Sequence, residues 1–244
     1  MKRLVMGNSV EQAKSRSVPI EKVRMKINWE YLLQNKFNYL LMTEVVILIA
    51  YPLLQTSKTK LPIVPLLLLI AIAPALWVGL SRKIFLAVFS VGVFAFLFNL
   101  VISVTAKDLA DEGLLVLLTL YAVFFFLAIA ILITKISSGT TVSEDTIKGG
   151  ISIYFLLGLF WAVLYMILLT FDPNALTNVS KETAGLDCYY YSFATLTTLG
   201  YGDIAPVANY AKILAIMEAV TGPVYLAIFV AQIIGMNIAQ KMKG

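Results

Sequence analysis

Long apolar stretches separated by short polar segments run along the chain. Six of them, at residues 37–54, 61–80, 84–104, 114–134, 151–171 and 210–236, are rich in Leu, Ile, Val and Phe. An α-helix needs roughly 20 such residues to cross the hydrocarbon core of a bilayer. The pattern therefore predicts an all-α membrane protein with six transmembrane helices.

The composition agrees with insertion into a membrane. The chain has 244 residues, of which 60% are hydrophobic and 14% are charged, whereas soluble domains are less apolar and more charged. The basic start is followed by a polar segment without the apolar core of a signal peptide, so we expect the amino terminus in the cytosol. Cys188 is the one cysteine, which excludes an intrachain disulfide, and the chain has no histidine.

The positions of the basic residues predict the orientation of the chain. With the amino terminus inside, 14 Lys and Arg residues fall on the inner side and 5 on the outer side, as the positive-inside bias requires. Lys58 and Lys60 depart from this bias. We expect a cell-membrane protein with both termini in the cytosol, and the net charge of +5 needs no nucleic-acid partner. The basic arm at residues 1–36 is interpreted as a topology-setting segment in preference to a specific lipid sensor.

A polar segment at residues 172–209 interrupts the apolar pattern between the fifth and sixth stretches. It contains T-L-T-T-L-G-Y-G-D at residues 195–203. Non-helical backbone at membrane depth is tolerated only where it is buried in protein or lines a wet cavity. Gly200 and Gly202 permit positive φ at alternate positions. Four such strands around one axis would stack rings of carbonyl oxygens that replace the hydration shell of an ion.

Residues 198–203, T-L-G-Y-G-D, resemble the signature T-V-G-Y-G-D of potassium channels, with Leu199 in place of Val. The order of span, outer loop, short helix, filter and span agrees over about residues 149–237. The resemblance implies a homotetramer, in which each chain has three identical partners. It also implies a re-entrant pore helix and a selectivity filter between the fifth and sixth helices. K⁺ is then the permeant ligand, and no other cofactor is expected.

The same resemblance assigns residues to the ion path. The selectivity filter would consist of Thr198, Leu199, Gly200, Tyr201 and Gly202. The main-chain carbonyls of the first four, from Thr198 to Tyr201, would bind K⁺. The hydroxyl of Thr198 would lie at the inner end of the filter. Asp203, one from each chain, would place acidic charge at the outer mouth.

Support for the filter is expected from Tyr190, Tyr191, Ala194 and Thr197. Tyr190 and Tyr191 stand where relatives have two tryptophans, and they would either pack against the filter or donate a hydrogen bond to Asp203. Ala194 stands where some relatives have a glutamate that pairs with this aspartate. That pair is therefore absent.

Three further carboxylates occupy informative positions. Asp187 is expected to cap a pore helix at residues 188–198, whose carboxyl end would favour a cation. Glu218 lies within the sixth stretch, where a carboxylate is a functional candidate by default. It would bond filter-supporting residues or tune the field of the cavity. Glu44 in the first stretch raises the same question, and its role is left open.

The sixth stretch also carries the features of a gate. Gly222 lies at the position of the glycine hinge of the potassium-channel family, and Pro223 removes an amide that a straight helix needs. A gating hinge is favoured over a static bend. One helical stripe farther along would form an apolar constriction or pack against other helices, and it consists of Leu226, Val230, Ile234 and Ile238.

The preceding stretches are expected to form a separate unit. Residues 37–135 would be a four-helix peripheral domain and residues 136–244 the pore domain. The fourth stretch, residues 114–134, has no Arg or Lys, so the membrane potential can do little work on it. Voltage gating by an arginine sensor is not expected, nor is a soluble ligand that binds a domain after the last helix. The gating stimulus stays open between lipid, tension, protons and a constitutively open pore.

A potassium-selective channel is the leading interpretation. The alternatives are a weakly selective cation channel and a non-conducting scaffold that retains the pore fold. A transporter built of four repeats is disfavoured because the chain contains one such motif. An enzyme is not expected, because the chain has no histidine and no phosphate-cradling loop. Asn178 begins an N-V-S triplet in the outer loop, and its modification depends on the source of the protein.

Overall fold

Helices dominate the computed structural model of the chain, which describes residues 36–56, 63–77, 80–105, 111–139 and 142–242. The helices in these residues are α1 (Lys36–Thr56), α2 (Ile63–Trp77), α3 (Arg82–Thr105), α4 (Asp111–Ser137), α5 (Glu144–Phe171), α6 (Ala184–Leu196) and α7 (Asn209–Lys241). The described part has no strand beyond an isolated bridge between Leu176 and Pro206, so the all-α prediction is confirmed. The basic arm predicted at residues 1–36 lies outside the described residues, apart from Lys36.

Four helices of the described part are long and apolar enough to cross a membrane, namely Arg82–Ile102, Glu112–Ser137, Glu144–Phe171 and Asn209–Lys241. The first two helices contain shorter apolar segments, Phe37–Pro52 and Ile63–Trp77. Several apolar helices of this length are typical of a multi-pass membrane protein. The count of six spans stays a prediction, because the segments in α1 and α2 are shorter than the sequence pattern suggested.

α1 lies alongside α5 and reaches α6. The backbone amide of Phe37 donates to the Asp145 carboxylate at 3.1 Å, and a β-carbon on Gly149 would lie 2.9 Å from the Phe37 ring. Near the other end of α1, the ring of Tyr51 contacts that of Tyr189 on α6, with centroids 4.9 Å apart. These contacts fasten the first helix to the part of the chain that carries the glycine-spaced motif.

α4 is held by its neighbours mainly through apolar contacts. Phe124 and Phe125 are buried, whereas Phe126 is 60% exposed, so this aromatic run supplies both helix packing and outer surface. The Lys135 ammonium donates to the carbonyl of Ala75 at 2.8 Å. That carbonyl lies in the last turn of α2, where carbonyls lack partners within the helix.

The short helix α6 lies between α5 and α7 in the chain and packs on both. A β-carbon on Gly158 of α5 would lie 2.6 Å from the ring of Phe193 on α6. Glycine at this position therefore lets the aromatic ring of α6 approach the α5 backbone closely. α5 itself begins at Glu144, because the hydroxyl of Ser143 accepts a hydrogen bond from the Thr146 amide at 3.1 Å.

Candidate ion-binding site

The helix before the motif begins earlier than the sequence suggested. α6 starts at Ala184 with Thr183 as its N-cap residue and ends at Leu196. Asp187 lies in the first turn, where its carboxylate accepts a hydrogen bond from the Thr183 hydroxyl at 2.5 Å. The prediction that Asp187 caps the helix was therefore wrong by one turn. Its negative charge still lies at the end of the helix that favours an anion.

The backbone of the motif alternates between left-handed and right-handed conformations. Thr198, Gly200 and Gly202 have φ values of 60°, 53° and 80°, whereas Leu199 and Tyr201 have negative φ. Alternation of this kind turns successive carbonyls toward the same side of the strand. The two glycines were predicted to do this. Thr198 was not, because a β-branched residue with positive φ is uncommon and costly.

The amides of the motif are bonded to the end of α6. The amides of Leu199 and Gly200 both donate to the carbonyl of Ala194, at 2.8 and 3.1 Å, and the amide of Thr198 donates to the carbonyl of Thr195 at 3.0 Å. Ala194 therefore holds the motif through its main-chain carbonyl.

The carbonyls of the motif are left for another partner. Within the described part of the chain, no donor is bonded to the carbonyl oxygens of residues 198–201. Residues 198–201 are exposed in the single chain, so their carbonyls are accessible to a ligand, and oxygen atoms are the ligands that hard cations prefer. The described residues contain no cluster of three or more Cys, Asp or Glu side chains that would hold a metal ion. Main-chain oxygens are therefore the candidate ligands.

Glu218 joins α7 to the helices behind the motif. It is fully buried and accepts a hydrogen bond from the Tyr165 hydroxyl on α5 at 2.6 Å. The hydroxyl of Ser192 on α6 lies 2.6 Å from the other carboxyl oxygen and 2.7 Å from the carbonyl of Gly158. Glu218 was identified from sequence, but Tyr165 and Ser192 were not.

The protonation of Glu218 follows from counting donors. A serine hydroxyl has one proton, so Ser192 can fully satisfy only one of its two close acceptors. Both contacts are hydrogen bonds if Glu218 carries a proton and donates it to Ser192, while Ser192 donates to the Gly158 carbonyl. A neutral carboxyl group also avoids the large cost of an unpaired buried charge.

Two residues lie against the last carbonyl of α6, that of Leu196. The Tyr154 hydroxyl on α5 donates to the carbonyl of Leu196 at 3.0 Å. A β-carbon on Gly222 of α7 would lie 2.1 Å from the same oxygen. Glycine is therefore required at position 222 by close packing, whether or not the residue also acts as a hinge. Tyr191 packs its ring edge-on against Tyr165, with centroids 4.8 Å apart.

The loop between α5 and α6 is hydrogen-bonded to the residues that follow the motif. Tyr190 donates from its hydroxyl to the Asp203 carboxylate at 3.1 Å, which is one of the two contacts expected for the paired tyrosines. The side-chain amide of Asn178 donates to the Asp203 carbonyl at 2.6 Å. The amide of Thr177 donates to the Ala205 carbonyl at 2.9 Å. The side chain that could carry a modification at Asn178 is thus already part of the exit structure.

Most of the remaining predicted residues lie at the surface of the single chain, whereas Gly222 and Glu44 are buried. Thr197 is exposed and donates from its hydroxyl to the Phe193 carbonyl at 2.7 Å. α7 continues through Gly222 and Pro223 without ending. The gate stripe comprises Leu226, Val230, Ile234 and Ile238. These side chains are between 42% and 55% exposed, so about half of each is left uncovered by its own chain. Glu44 is 2% exposed on α1, and its role stays open.

Comparisons with known proteins agree with this geometry. A protein-family model described as ion channel matches residues 114–238, just over half of the chain. The potassium channel protein kcv of Paramecium bursaria Chlorella virus 1 is 30% identical over 73 residues, which are 28% of this chain and 78% of that protein. The two-pore potassium channel 4 of Arabidopsis thaliana is 34% identical over 70 residues, 26% of this chain and 25% of that protein. No solved structure matches.

These matches define the class of the protein. The residues shared with the family run from α4 to near the end of α7 and include the alternating backbone and the residues bonded to it. The chain belongs to the ion channel family, in which the potassium channels named above are its relatives. Members of this family are channels and not enzymes. The chain spans a quarter of the length of the plant relative.

Proposed function

We propose that the chain is one subunit of a potassium-selective channel in the cell membrane. The alternating backbone of residues 198–202, with its amides bonded to α6 and its carbonyls unbonded within the described chain, is the observation that carries the proposal. Carbonyls that face one side replace the hydration shell of a cation. The signature sequence and the two potassium-channel relatives favour K⁺ as that cation.

The proposed channel is a homotetramer, because one strand cannot enclose an ion. Only Ala211, Glu218 and Gly222 of α7 are buried within the chain, and the gate stripe and Tyr201 are exposed. An apolar helix with so little burial in its own chain needs lipid or further copies of the chain to cover it. Four copies around an axis cover part of α7 and complete the rings of carbonyls at Thr198, Leu199, Gly200 and Tyr201.

In the proposed mechanism, the surrounding structure keeps the four strands at the spacing that suits a dehydrated cation. α6 is the re-entrant pore helix, and the partial negative charge of its carboxyl end stabilises a cation in the cavity. The Glu218 contacts and the Tyr154 contact fix α6 against α5 and α7. Asp203 raises the cation concentration at the outer mouth.

The proposed gate lies on the inner half of α7. Gly222 and Pro223 form the hinge, and the exposed stripe that ends at Ile238 forms an apolar constriction that closes by dewetting. The charged residues of α4 are Asp111, Glu112 and Lys135, all near its ends. α1 to α4 therefore form a peripheral domain without an arginine voltage sensor. Six spans place both termini in the cytosol.

Cation flux from proteoliposomes tests the function. The purified chain is reconstituted, and uptake of K⁺, Rb⁺ and Na⁺ is compared with and without Ba²⁺. We expect Ba²⁺-sensitive uptake of K⁺ and Rb⁺ and little uptake of Na⁺. Comparable Na⁺ and K⁺ uptake would instead identify a weakly selective cation channel. No uptake of any cation by a correctly folded tetramer would identify a non-conducting scaffold.

A further inference from the structure

Two adjoining cavities lie between the peripheral helices and the pore region. The bundle cavity has a volume of about 400 Å³, and the loop cavity, at the end of α5, has a volume of about 420 Å³. Leu114, Leu118 and Met166 line both. The two cavities therefore adjoin at these side chains and are together called the crevice. Each has a size typical of ligand pockets, about 300–1,000 Å³.

The chemistry of the lining changes along this crevice. The bundle cavity is walled mainly by apolar side chains from α1 to α5, such as Ile47, Leu69 and Phe124. The loop cavity adds polar side chains at the outer end of α5 and in the loop that follows, namely Thr170, Asn174, Ser180 and Lys181. A long apolar space that ends beside a cation matches an amphiphilic molecule with an acyl chain and an anionic group.

We propose that this crevice binds one phospholipid, with an acyl chain in the bundle cavity and its phosphate beside Lys181. The surrounding bilayer supplies such molecules. Lys181 is exposed at the mouth of the loop cavity, where a lysine can meet the phosphate while its stem covers apolar surface. The apolar walls exclude water from the chain, and each buried methylene stabilises the complex.

The neighbouring charges favour a zwitterionic headgroup. The pKa of the Glu182 carboxyl is lowered by a hydrogen bond from its own backbone amide and by the Ser180 hydroxyl, so it is ionised at neutral pH. Asp172 and Asp187 also lie on this loop and the following helix, bonded to Tyr210 and to a threonine respectively. An ammonium next to the phosphate, as in phosphatidylethanolamine, matches these acids better than a purely anionic headgroup.

The site touches the ion path at two places. The bundle cavity reaches Gly185 and Tyr189 of the pore helix. The outer loop that lines the loop cavity is bonded to the filter exit through Thr177 and Asn178. A phospholipid in the crevice would therefore stabilise the outer loop and, through it, the exit at Asp203.

Lipid titration of the delipidated protein tests the proposal. Native mass spectrometry is used to measure binding of phosphatidylethanolamine and phosphatidylglycerol to the wild type, Lys181→Gln and Lys212→Gln. We expect tighter binding of phosphatidylethanolamine and a loss of affinity of about tenfold or more in Lys181→Gln, since one charge-assisted hydrogen bond is removed. Lys212→Gln, an exposed lysine of the same side that lines neither cavity, should bind like the wild type.

A second pair of variants tests whether the bundle cavity binds the acyl chain of the phospholipid. Leu114→Trp fills the junction of the cavities and should prevent binding. Val116→Trp lies on the same helix but is 51% exposed, and it should leave binding unchanged. In the wild type, a phospholipid with a photoreactive group in its acyl chain should label α2, α4 and α5 peptides that line the crevice.

Two results would overturn the phospholipid site. One is equal affinity of wild type and Lys181→Gln for phosphatidylethanolamine. The other is photolabelling confined to outward-facing residues such as Phe126. Both measurements record binding and not flux, so their failure would leave the proposed channel function standing, and a protein without flux could still pass them.

Discussion

The pore region, α5 to α7, and the peripheral helices, α1 to α4, differ in the contacts that stabilise each of them internally. Between α5, α6 and α7, buried polar side chains bond one helix to another, as Tyr165, Ser192 and Glu218 do. Among α1 to α4, the buried residues are largely apolar, and Leu40, Ile72 and Leu132 are fully enclosed. The directional contacts are thus concentrated around the residues that would meet the ion.

This difference indicates how accurately each region has to position its residues. Apolar contacts tolerate small shifts, because dispersion varies gently with position and direction. A hydrogen bond between buried groups fixes both distance and angle, and leaving one partner unsatisfied costs free energy. A ring of carbonyl ligands needs that accuracy, whereas a peripheral bundle needs only to stay packed. Variants in the two regions should therefore fail in different ways.

The largest effect is expected from Gly200→Ala. Nothing lies within 4 Å of a β-carbon at this position, and φ is 53°, so the penalty comes from the backbone conformation alone, about 1–2 kcal/mol in each chain. Selective K⁺ uptake should fall by at least about tenfold. Gly235→Ala is the matched control, because it also has open space but no positive φ. Unchanged uptake in Gly200→Ala would show that the alternating backbone is not the ion path.

The positive φ of the two glycines in the motif and the apolar helices on either side of it could be predicted, because their determinants are local. Positive φ at Gly200 and Gly202 is favoured by residue type, and α5 and α7 are long and apolar enough to cross a membrane. The start of α6 was misplaced because Thr183 and Asp187 are both good N-cap residues and lie one turn apart. Local sequence does not decide between them.

The supports of the filter could not be predicted, because they depend on the rotation of helices about their axes. Tyr154 and Tyr165 look like ordinary members of an apolar helix, and only packing turns their hydroxyls toward α6 and α7. Gly222 was interpreted as a hinge from its position in the potassium-channel family and from the adjacent Pro223. The sequence could not show the Leu196 carbonyl that lies beside it. The hinge stays a proposal, and the close contact is an additional constraint.

Gly222→Ala should have the next largest effect. Its methyl group would press on the backbone of Leu196 and displace the end of the pore helix, at a cost of about 1–3 kcal/mol. We expect a lower unfolding temperature and a changed K⁺ to Na⁺ uptake ratio from the close packing, together with a changed open probability from the proposed hinge. Leu132→Ala in the peripheral bundle is the control, because it should lower stability without changing that ratio. A changed open probability with an unchanged ratio would favour a hinge over a packing role.

Two variants of Glu218 distinguish the contribution of its hydrogen bonds from that of a negative charge. Glu218→Gln keeps an acceptor for Tyr165 and a donor for Ser192, so stability and ion preference should stay close to those of the wild type. Glu218→Ala leaves both hydroxyls without this partner and should lower the free energy of unfolding by about 1–3 kcal/mol. Thermal unfolding measures the stability of each variant, and the K⁺ to Na⁺ uptake ratio at neutral pH measures its ion preference. If Gln is as damaging as Ala, Glu218 is ionised and the proton count is wrong.

The smallest effect is expected at the outer mouth. Tyr190→Phe removes one hydrogen bond to Asp203, and its contribution to stability should be small because the bond is exposed to solvent. A double-mutant cycle with Asp203→Asn, measured as stability of the tetramer and as Ba²⁺ block, isolates the pair from other effects of either change. Because Asn178 still holds the Asp203 carbonyl at 2.6 Å, the filter exit should keep its position and K⁺ preference should persist. Additive effects in the cycle would mean that Tyr190 supports the filter by packing alone, and the pore region would then resemble the peripheral bundle at its outer end.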